Sequence, residues 1–501
     1  MTLAVPSESD ALLATPALSE YSGMMAAARE AVAGWRFSVA GTAAGEWRSA
    51  ARQELSGLAG GGAVTGNLLV TGHQPDLYHP GVWVKNFIVD AVCRAENIPG
   101  LNLIVDSDLA GAVVPLPRRD GRMHVEPLRV PGARAGIPWE ALPPLRPSDW
   151  QGLLDQAESA IGTLHSEEAA AALQVFRTAI FSSERVAAAG SLAGSLAWAR
   201  RAYEGEPAYL ELEVSRMSGS LAFRRFVSEV LLRLEDFWHA YNDSLAGYRA
   251  RHRIRTRANP VPDLKQRDAL WETPFWYLHE DGQRKGLFAE REGTGWTLKS
   301  RDDVFVHLDG DPTSWPERLE GLSRRIRPRA LTLTMFIRLA AADLFVHGIG
   351  GARYDRVTDH IVEQFFGIAP PPYCAASITM RLPFCPEGHG ESVRDLRRGL
   401  RDLRWNPQRV ARGPEAARLA KTKMELIAGL DGSTQKARLT RDIRALNERM
   451  WQTLDGKAAD LRARLQAAEA AEDERRVACS REYPYFLFPV ERMRAALVNN
   501  L

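Results

Sequence analysis

Only four cysteines occur in 501 residues, Cys93, Cys374, Cys385 and Cys479. They are too few and too scattered for the disulfide framework of a small secreted domain. No stretch approaches the roughly 18 uninterrupted apolar residues of a membrane span. The N-terminal segment lacks a basic region followed by an apolar run, so no signal peptide is expected and the cytoplasm is the expected location. Neither sign of charge dominates: 64 Lys and Arg against 62 Asp and Glu leave +2. That balance gives no general drive toward nucleic acid or membranes, and neither is expected as a partner. What is present is hydrophobic content of 45%, enough for more than one core, and a length that predicts about two to four domains.

Two stretches carry most of the signal. Asn67-Leu-Leu-Val-Thr-Gly-His-Gln-Pro-Asp-Leu-Tyr-His-Pro-Gly81 runs into Val-Trp-Val-Lys85 and ends at Leu101-Asn-Leu-Ile-Val-Asp-Ser-Asp108. Later comes Asp343-Leu-Phe-Val-His-Gly-Ile-Gly-Gly-Ala-Arg-Tyr-Asp355. Each reads as a short buried strand, a polar or Gly-rich loop and then a helix. In an open α/β sheet such loops lie at the carboxyl ends of the strands, where ligands bind. Residues 67–108 and 343–383 are therefore expected to share one parallel sheet.

Around these units the pattern predicts a peripheral helical segment over the first 60 residues and possible strands near 112–116 and 123–130. Helices are expected from 148 to about 203, a further core strand near 208–213, and a small antiparallel sheet from Phe275, Leu287 and Gly295 onward. Gly367 is placed to cap the helix that begins near Arg353. Leu439, Ile443, Leu446, Met450, Leu454, Leu461, Leu465 and Ala468 recur at steps of three, four or seven, a coiled-coil-like seam. A turn at Asp431-Gly-Ser-Thr434 would fold an earlier helix back against it. A single exposed seam of this kind is an aggregation liability, so a dimer through an antiparallel hairpin over about 414–475 is expected. The aromatic segment Tyr483-Pro-Tyr-Phe-Leu-Phe-Pro489 should pack on the core. The expected divisions are 1–110, 111–325, 326–390, 391–475 and 476–501.

The matching positions Thr71-Gly72-His73-Gln74, Pro80-Gly81, Lys85, Asp106-Ser107-Asp108 and Gly350-Gly351 resemble bacillithiol synthase, the cysteine-adding enzyme of bacillithiol biosynthesis. That family carries a Thr-Gly-Gln-Gln stretch ending in a Gly-Pro turn and a Lys, an acidic strand end, and a Gly-Gly motif opening a helix. Here His73 stands for a Gln, the Gly-Pro order is inverted, and the acidic strand end has no His. A distant member of the family is the expectation. The resemblance implies an α/β fold with a Rossmann-like, nucleotidyltransferase-like parallel core, inserted modules and a C-terminal helical coiled-coil hairpin that forms a homodimer contact. It also implies chemistry joining a small amino compound to a carrier.

The residues themselves suggest roles. His73, Gln74, His79 and Lys85 crowd one loop and the first turn of a helix, supplying donors, acceptors and a titratable imidazole. Thr71 and Gly72 precede them. A Lys at that place can reach a phosphate or carboxylate beside the helix N-terminus. The rival reading makes His73 an internal partner of Gln74 and Pro75-Asp76 a turn. Asp106 and Asp108 end an apolar strand, suited to an amine, a ribose or a metal, with a solvated Asx turn as the alternative. His347, Gly348, Gly350 and Gly351 permit close backbone approach to an anion, with Arg353, Tyr354 and Asp355 in the following turns. Cys374, Cys385 and His389 fit no closed zinc motif, and no metal is expected. Lys421-Thr-Lys-Met424 reads as a solvated helix face. The basic run Arg251-His-Arg-Ile-Arg-Thr-Arg257 lacks interleaved aromatics.

The expected function is carbon–nitrogen bond formation by a cytoplasmic ligase or transferase with a nucleotide (ATP or ADP) or another phosphorylated ligand bound. His73, Asp106 and Asp108 would do the chemistry and the remaining named residues would hold the ligand. Nucleotidyl transfer, or a non-catalytic metabolite-binding or scaffold role, are the rival readings.

Overall fold

The computed structural model describes residues 3–111, 113–300, 303–386, 390–430, 434–452 and 454–498. The chain divides into two compact units, one of residues 1–118, 125–383 and 481–501, the other of residues 119–124 and 384–480.

The first unit is built on six strands: β1 (Ala11–Thr15), β2 (Leu69–His73), β3 (Gly100–Ile104), β4 (Tyr209–Glu213), β5 (Leu344–His347) and β6 (Tyr373–Thr379). Their order across the sheet is β1-β6-β5-β2-β3-β4. β1 runs antiparallel on the edge and the other five are parallel. Leu69, Val70, Leu344 and Val346 are fully buried, because strands covered on both faces are apolar at successive positions rather than alternate ones. From β2 the chain moves outward through β3 to β4, then returns to the other side of β2 for β5 and β6. The order thus reverses between β2 and β5, where Thr71 pairs with Val346. The two stretches singled out in the sequence do share one parallel sheet.

Three helices carry candidate residues or their partners: α1 (Pro80–Glu96), α2 (Ala330–Ala340) and α3 (Ile349–Phe366). His79 caps α1, with its Nδ1 accepting from the Gly81 amide at 3.1 Å, and Pro80 occupies the first helical position. Left-handed residues end two of them, Asn97 for α1 (φ 51°) and Gly367 for α3 (φ 68°).

The first 60 residues are not peripheral. β1 is a sheet strand, and the helix Ala44–Leu58 buries Trp47, Ala51 and Leu55 in the main core. Its Arg48 and Arg52, four apart, are both buried and pair with Asp343 at 2.8 Å, while Arg48 also donates to the carbonyls at the end of α2. The antiparallel sheet forms as expected from Leu270–Leu278, Arg284–Glu292, Gly295–Lys299 and Val304–Leu308, with Ile326–Pro328 on its other edge. Val113–Asp120 and Arg122–Arg129 pair as a separate hairpin. Tyr483, Tyr485, Phe486, Leu487 and Phe488 are buried, and the Tyr485 ring lies 5.5 Å from that of Tyr78.

The second unit contains α4 (Val393–Trp405), α5 (Pro414–Ala428), α6 (Lys436–Gln452) and α7 (Asp455–Ala478). The expected seam is not one continuous coiled coil. Leu439, Ile443, Leu446 and Met450 lie on α6, which packs with α5, whereas Leu461, Leu465 and Ala468 lie on α7, which packs with α4. Leu454 falls at the break, with non-helical φ −110° and ψ 9°. It joins Leu403, Ala411 and Ala416 in a small core. The turn expected at 431–434 lies largely outside the described residues, as does His389. Cys385 and Cys479 form a disulfide within this unit; Cys93 and Cys374 are free and buried. Among the described residues no group of three or more His, Cys, Asp or Glu side chains is placed to hold a metal. No helix of the described residues is long and apolar enough to cross a membrane.

Candidate functional site

The loops following β2, β3 and β5 lie at one edge of the sheet, on either side of the reversal. Gly72 is required by packing: a Cβ there would lie 2.9 Å from Leu103 Cβ on the neighbouring strand. Next, His73 turns its ring edge toward Tyr78, with centroids 5.1 Å apart, and its Nδ1 lies 3.2 Å from the Gln74 carbonyl. That carbonyl only accepts, so Nδ1 carries the proton and Nε2 is left as an acceptor. Burial, and then the neighbouring Lys85, pull the imidazole down to about 3. It therefore stays neutral near pH 7, which suits an orienting hydrogen bond better than the proton shuttle expected of it.

Lys85 enters from α1. It is only 3% exposed, and its Nζ donates to the Gly72 carbonyl at 2.7 Å. Among the described residues no carboxylate lies within ion-pairing distance of it. Burial pulls this ammonium down to about 7, since an unpaired charge in a low dielectric favours its neutral form.

After β3, Asp106 is buried and accepts from the Ser215 amide (2.9 Å) and hydroxyl (2.5 Å). Burial, and then the charge of Glu140, push its carboxyl up to about 7. Glu140 is itself clamped by Arg327 through two bonds of 2.8 and 2.7 Å. Asp108 accepts from Gln74 Nε2 at 2.8 Å and from Arg284 at 3.0 Å. The Gln74–Asp108 bond ties together the loops that follow β2 and β3.

The loop after β5 divides its residues differently from expectation. His347 Nε2 lies 2.8 Å from Asp355 Oδ2, and Arg338 holds the same carboxylate at 2.7 Å while Thr334 donates to its other oxygen at 2.7 Å. Burial opposes the charge of Asp355, but Arg338 and His347 overcome it and hold the carboxyl well below its usual range. His347 and Asp355 are thus committed to an internal hydrogen-bonded cluster with Arg338 rather than to a ligand. Gly351 exists to admit that ring, for a Cβ would stand 2.6 Å from His347 Nδ1. Gly348, which caps α3, and Gly350 have open space where a Cβ would be. Those two fit the close approach of an anion to the amides of α3.

Four further candidates leave the site. Thr71 is buried in the sheet, its hydroxyl donating to the Val346 carbonyl at 2.8 Å. Arg353 donates to the Leu3 carbonyl, and Tyr354 is exposed. His79 is occupied as the cap of α1, with its Nε2 3.4 Å from Glu482.

Conversely, Ser215, Glu140, Arg284 and Arg327 belong to the cluster without a local signal, because they arrive from the short helix after β4, the 3-10 turn Trp139–Ala141 and the antiparallel sheet. Two buried donors beside these loops, Trp139 Nε1 and Tyr485 Oη, have no hydrogen-bond partner among the described residues. An orphaned buried donor costs on the order of 1–3 kcal/mol unless something satisfies it.

No family model matches the chain, and no curated protein matches it in sequence.

Proposed function

We propose that the first unit is a Rossmann-like enzyme core that binds a phosphorylated or carboxylated ligand, such as a nucleotide, where the strand order reverses. We propose further that it forms a carbon–nitrogen bond between a small amino compound and a carrier, in the manner of bacillithiol synthase. The observation that carries this is Lys85, a buried ammonium with one carbonyl partner and, among the described residues, no carboxylate, beside the reversal between β2 and β5. A buried charge is costly unless it is paired, so an ammonium held by one carbonyl at the carboxyl end of the sheet fits a site that an anion completes. The amides of Gly348 and Gly350 stand on the other side of the reversal. Asp106, with a carboxyl near neutrality, is suited to accept the proton an amine loses as its nitrogen bonds to carbon and the leaving group departs with its electron pair. His73 and the Gln74–Asp108 pair would orient the two reactants.

The same proposal includes a cytoplasmic homodimer through the helical unit, where Met424 and Ile427 of α5 are exposed at 54% and 38%. Light scattering of the wild type and of a Met424→Glu, Ile427→Glu variant reads the mass directly.

The test of the activity is a thermal-shift screen of ATP, ADP, sugar phosphates and amino acids at pH 6.5, with mass spectrometry of mixtures of an amino compound and any hit. Stabilisation that disappears in Lys85→Met, together with a product of combined mass less the leaving group, supports the reading. Stabilisation without product leaves a metabolite-binding protein. A shift equal in the variant removes Lys85 from the site.

A further inference from the structure

The small net charge of the chain conceals an uneven distribution. Between Glu391 and Met450 there are 15 Lys and Arg against 8 Asp and Glu, while the rest of the chain has a slight acidic excess. The excess is organised on α4. Leu396 and Leu403 form its buried face. On another face Arg394, Arg398, Arg401 and Trp405 follow at steps of four, three and four, one line along the helix. All four are exposed, Trp405 by 49%, and the line spans about 16 Å. Arg394 and Arg401 have no ion-pair partner among the described residues, and Arg398 has only a 3.8 Å contact with Asp395. Arg404 lies over the Trp405 ring at 6.0 Å. Beside the three arginines of the line lies a groove of about 620 Å³ bordered by Val393, Arg394, Arg397, Arg398, Arg401 and Glu472, with Arg397 tied at 2.6 Å to Glu469.

We propose that this face of α4 binds single-stranded nucleic acid, its arginines on successive phosphates and Trp405 under a base. Single-strand binders combine a cationic track with an aromatic platform, because every base offers a π-face. An acidic peptide would use the arginines but leave the exposed indole without a purpose. A lipid surface would need an apolar face to insert, and the apolar face of α4 is already buried in its own unit. The inference is independent of the reading of Lys85 and the sheet edge.

Fluorescence anisotropy of a labelled 12-nucleotide oligouridylate with the full chain, titrated from 50 to 200 mM salt, tests it. Saturable binding should weaken with salt, and Arg394→Ala, Arg398→Ala, Arg401→Ala combined should lower affinity at least tenfold and reduce the log–log salt slope by about 2. The corresponding triple Lys variant should retain the slope, which separates loss of charge from loss of fold. Trp405→Ala should weaken oligouridylate about fivefold or more and leave binding of inorganic polyphosphate unchanged. Three results overturn the proposal: no saturable binding at 50 mM salt, a salt slope unchanged by the triple Ala variant, or equal affinity in Trp405→Ala. Binding of phosphatidylserine vesicles or polyglutamate in preference to oligouridylate overturns it as well, and assigns the arginines to that polyanion.

Discussion

Lys85 Nζ lies 2.7 Å from the carbonyl oxygen of Gly72, so the buried ammonium of α1 is held against the end of β2 by a single neutral acceptor. A carbonyl offers only part of what water would, and the cost of burying the charge shows in the fall of this group to about 7. The arrangement is unfavourable for the folded chain alone and favourable for a chain with an anion at the same place.

Stability should therefore depend on pH through Lys85 in a definite direction. Its folded value lies below its ordinary one, so between about 7 and 10.5 the unfolded chain binds the additional proton and stability rises with pH. Below about 7 the full cost is present. Lys85→Met removes the charge, and its melting temperature relative to wild type should be more favourable at pH 6 than at pH 9, by about 2 °C for each kcal/mol. Differential scanning calorimetry at the two pH values decides; a constant offset would mean that the ammonium is solvated.

Asp106 should show the opposite slope. Its carboxyl is raised to about 7 from an ordinary value near 3.8, so across that window the unfolded chain has already lost the proton and stability falls as pH rises. Asp106→Asn should flatten this part of the profile. If Asp106 accepts a proton in the reaction, turnover should fall about 10²–10⁴-fold while binding of the anionic ligand changes little. Stability curves from pH 4.5 to 8 check the first half without any substrate, and curves for wild type and variant that stay parallel would count against a buried, near-neutral Asp106.

What the sequence makes legible depends on how local each interaction is. Strand–loop–helix units at 67–108 and 343–383 were readable because runs such as Leu68-Leu69-Val70 and Leu344-Phe345-Val346 are local, and so was the capping role of Gly367. Lys85 was readable as a candidate but not as a buried group, because burial depends on what covers α1. Apart from Gln74, itself a candidate, the partners of Asp106 and Asp108 were not readable. Ser215, Glu140, Arg327 and Arg284 lie 34 to 221 residues away in the chain, and long-range pairing leaves no periodic trace in a single sequence. His347 and Asp355 misled for the same reason: the residue that commits them is Arg338, on α2. The continuous heptad spacing through Leu454 also concealed a break, since the step pattern survives an interruption that the backbone does not.

Asp355 offers a direct separation of structural from ligand-binding roles. Its carboxylate is buried between Arg338 and His347 and accepts from Thr334. Asp355→Ala leaves Arg338 paired with Asp359 at 2.6 Å but removes the partner of His347 and Thr334, so its cost stays at or below the lower end of the about 3–5 kcal/mol of a broken buried pair. Asp355→Ala should lose up to about 3 kcal/mol in urea unfolding, and Arg338→Met with Asp355→Leu should not recover it in full, because Asp359 then loses its partner. A stable Asp355→Ala protein that binds ligand poorly would instead return Asp355 to the site.

The two glycines that open α3 should respond in opposite ways to the same methyl group. At Gly351 a Cβ would stand 2.6 Å from His347 Nδ1, so Gly351→Ala must displace the ring and with it the bond to Asp355. Loss of stability is expected, about 1–3 kcal/mol as in other overpacked sites. At Gly350 a Cβ meets nothing within 4 Å and the residue is already helical. Gly350→Ala should therefore be neutral or stabilise by up to about 1 kcal/mol. The new methyl would nevertheless occupy the open space through which the proposed anion would reach the amides of α3. Affinity for a phosphorylated ligand should fall by about tenfold or more while the melting temperature holds or rises. Gly350→Ala with undiminished affinity would show that the ligand lies elsewhere, whatever the fate of Lys85. Urea melts of both variants, with calorimetric titration of the best ligand from the thermal-shift screen, distinguish these outcomes.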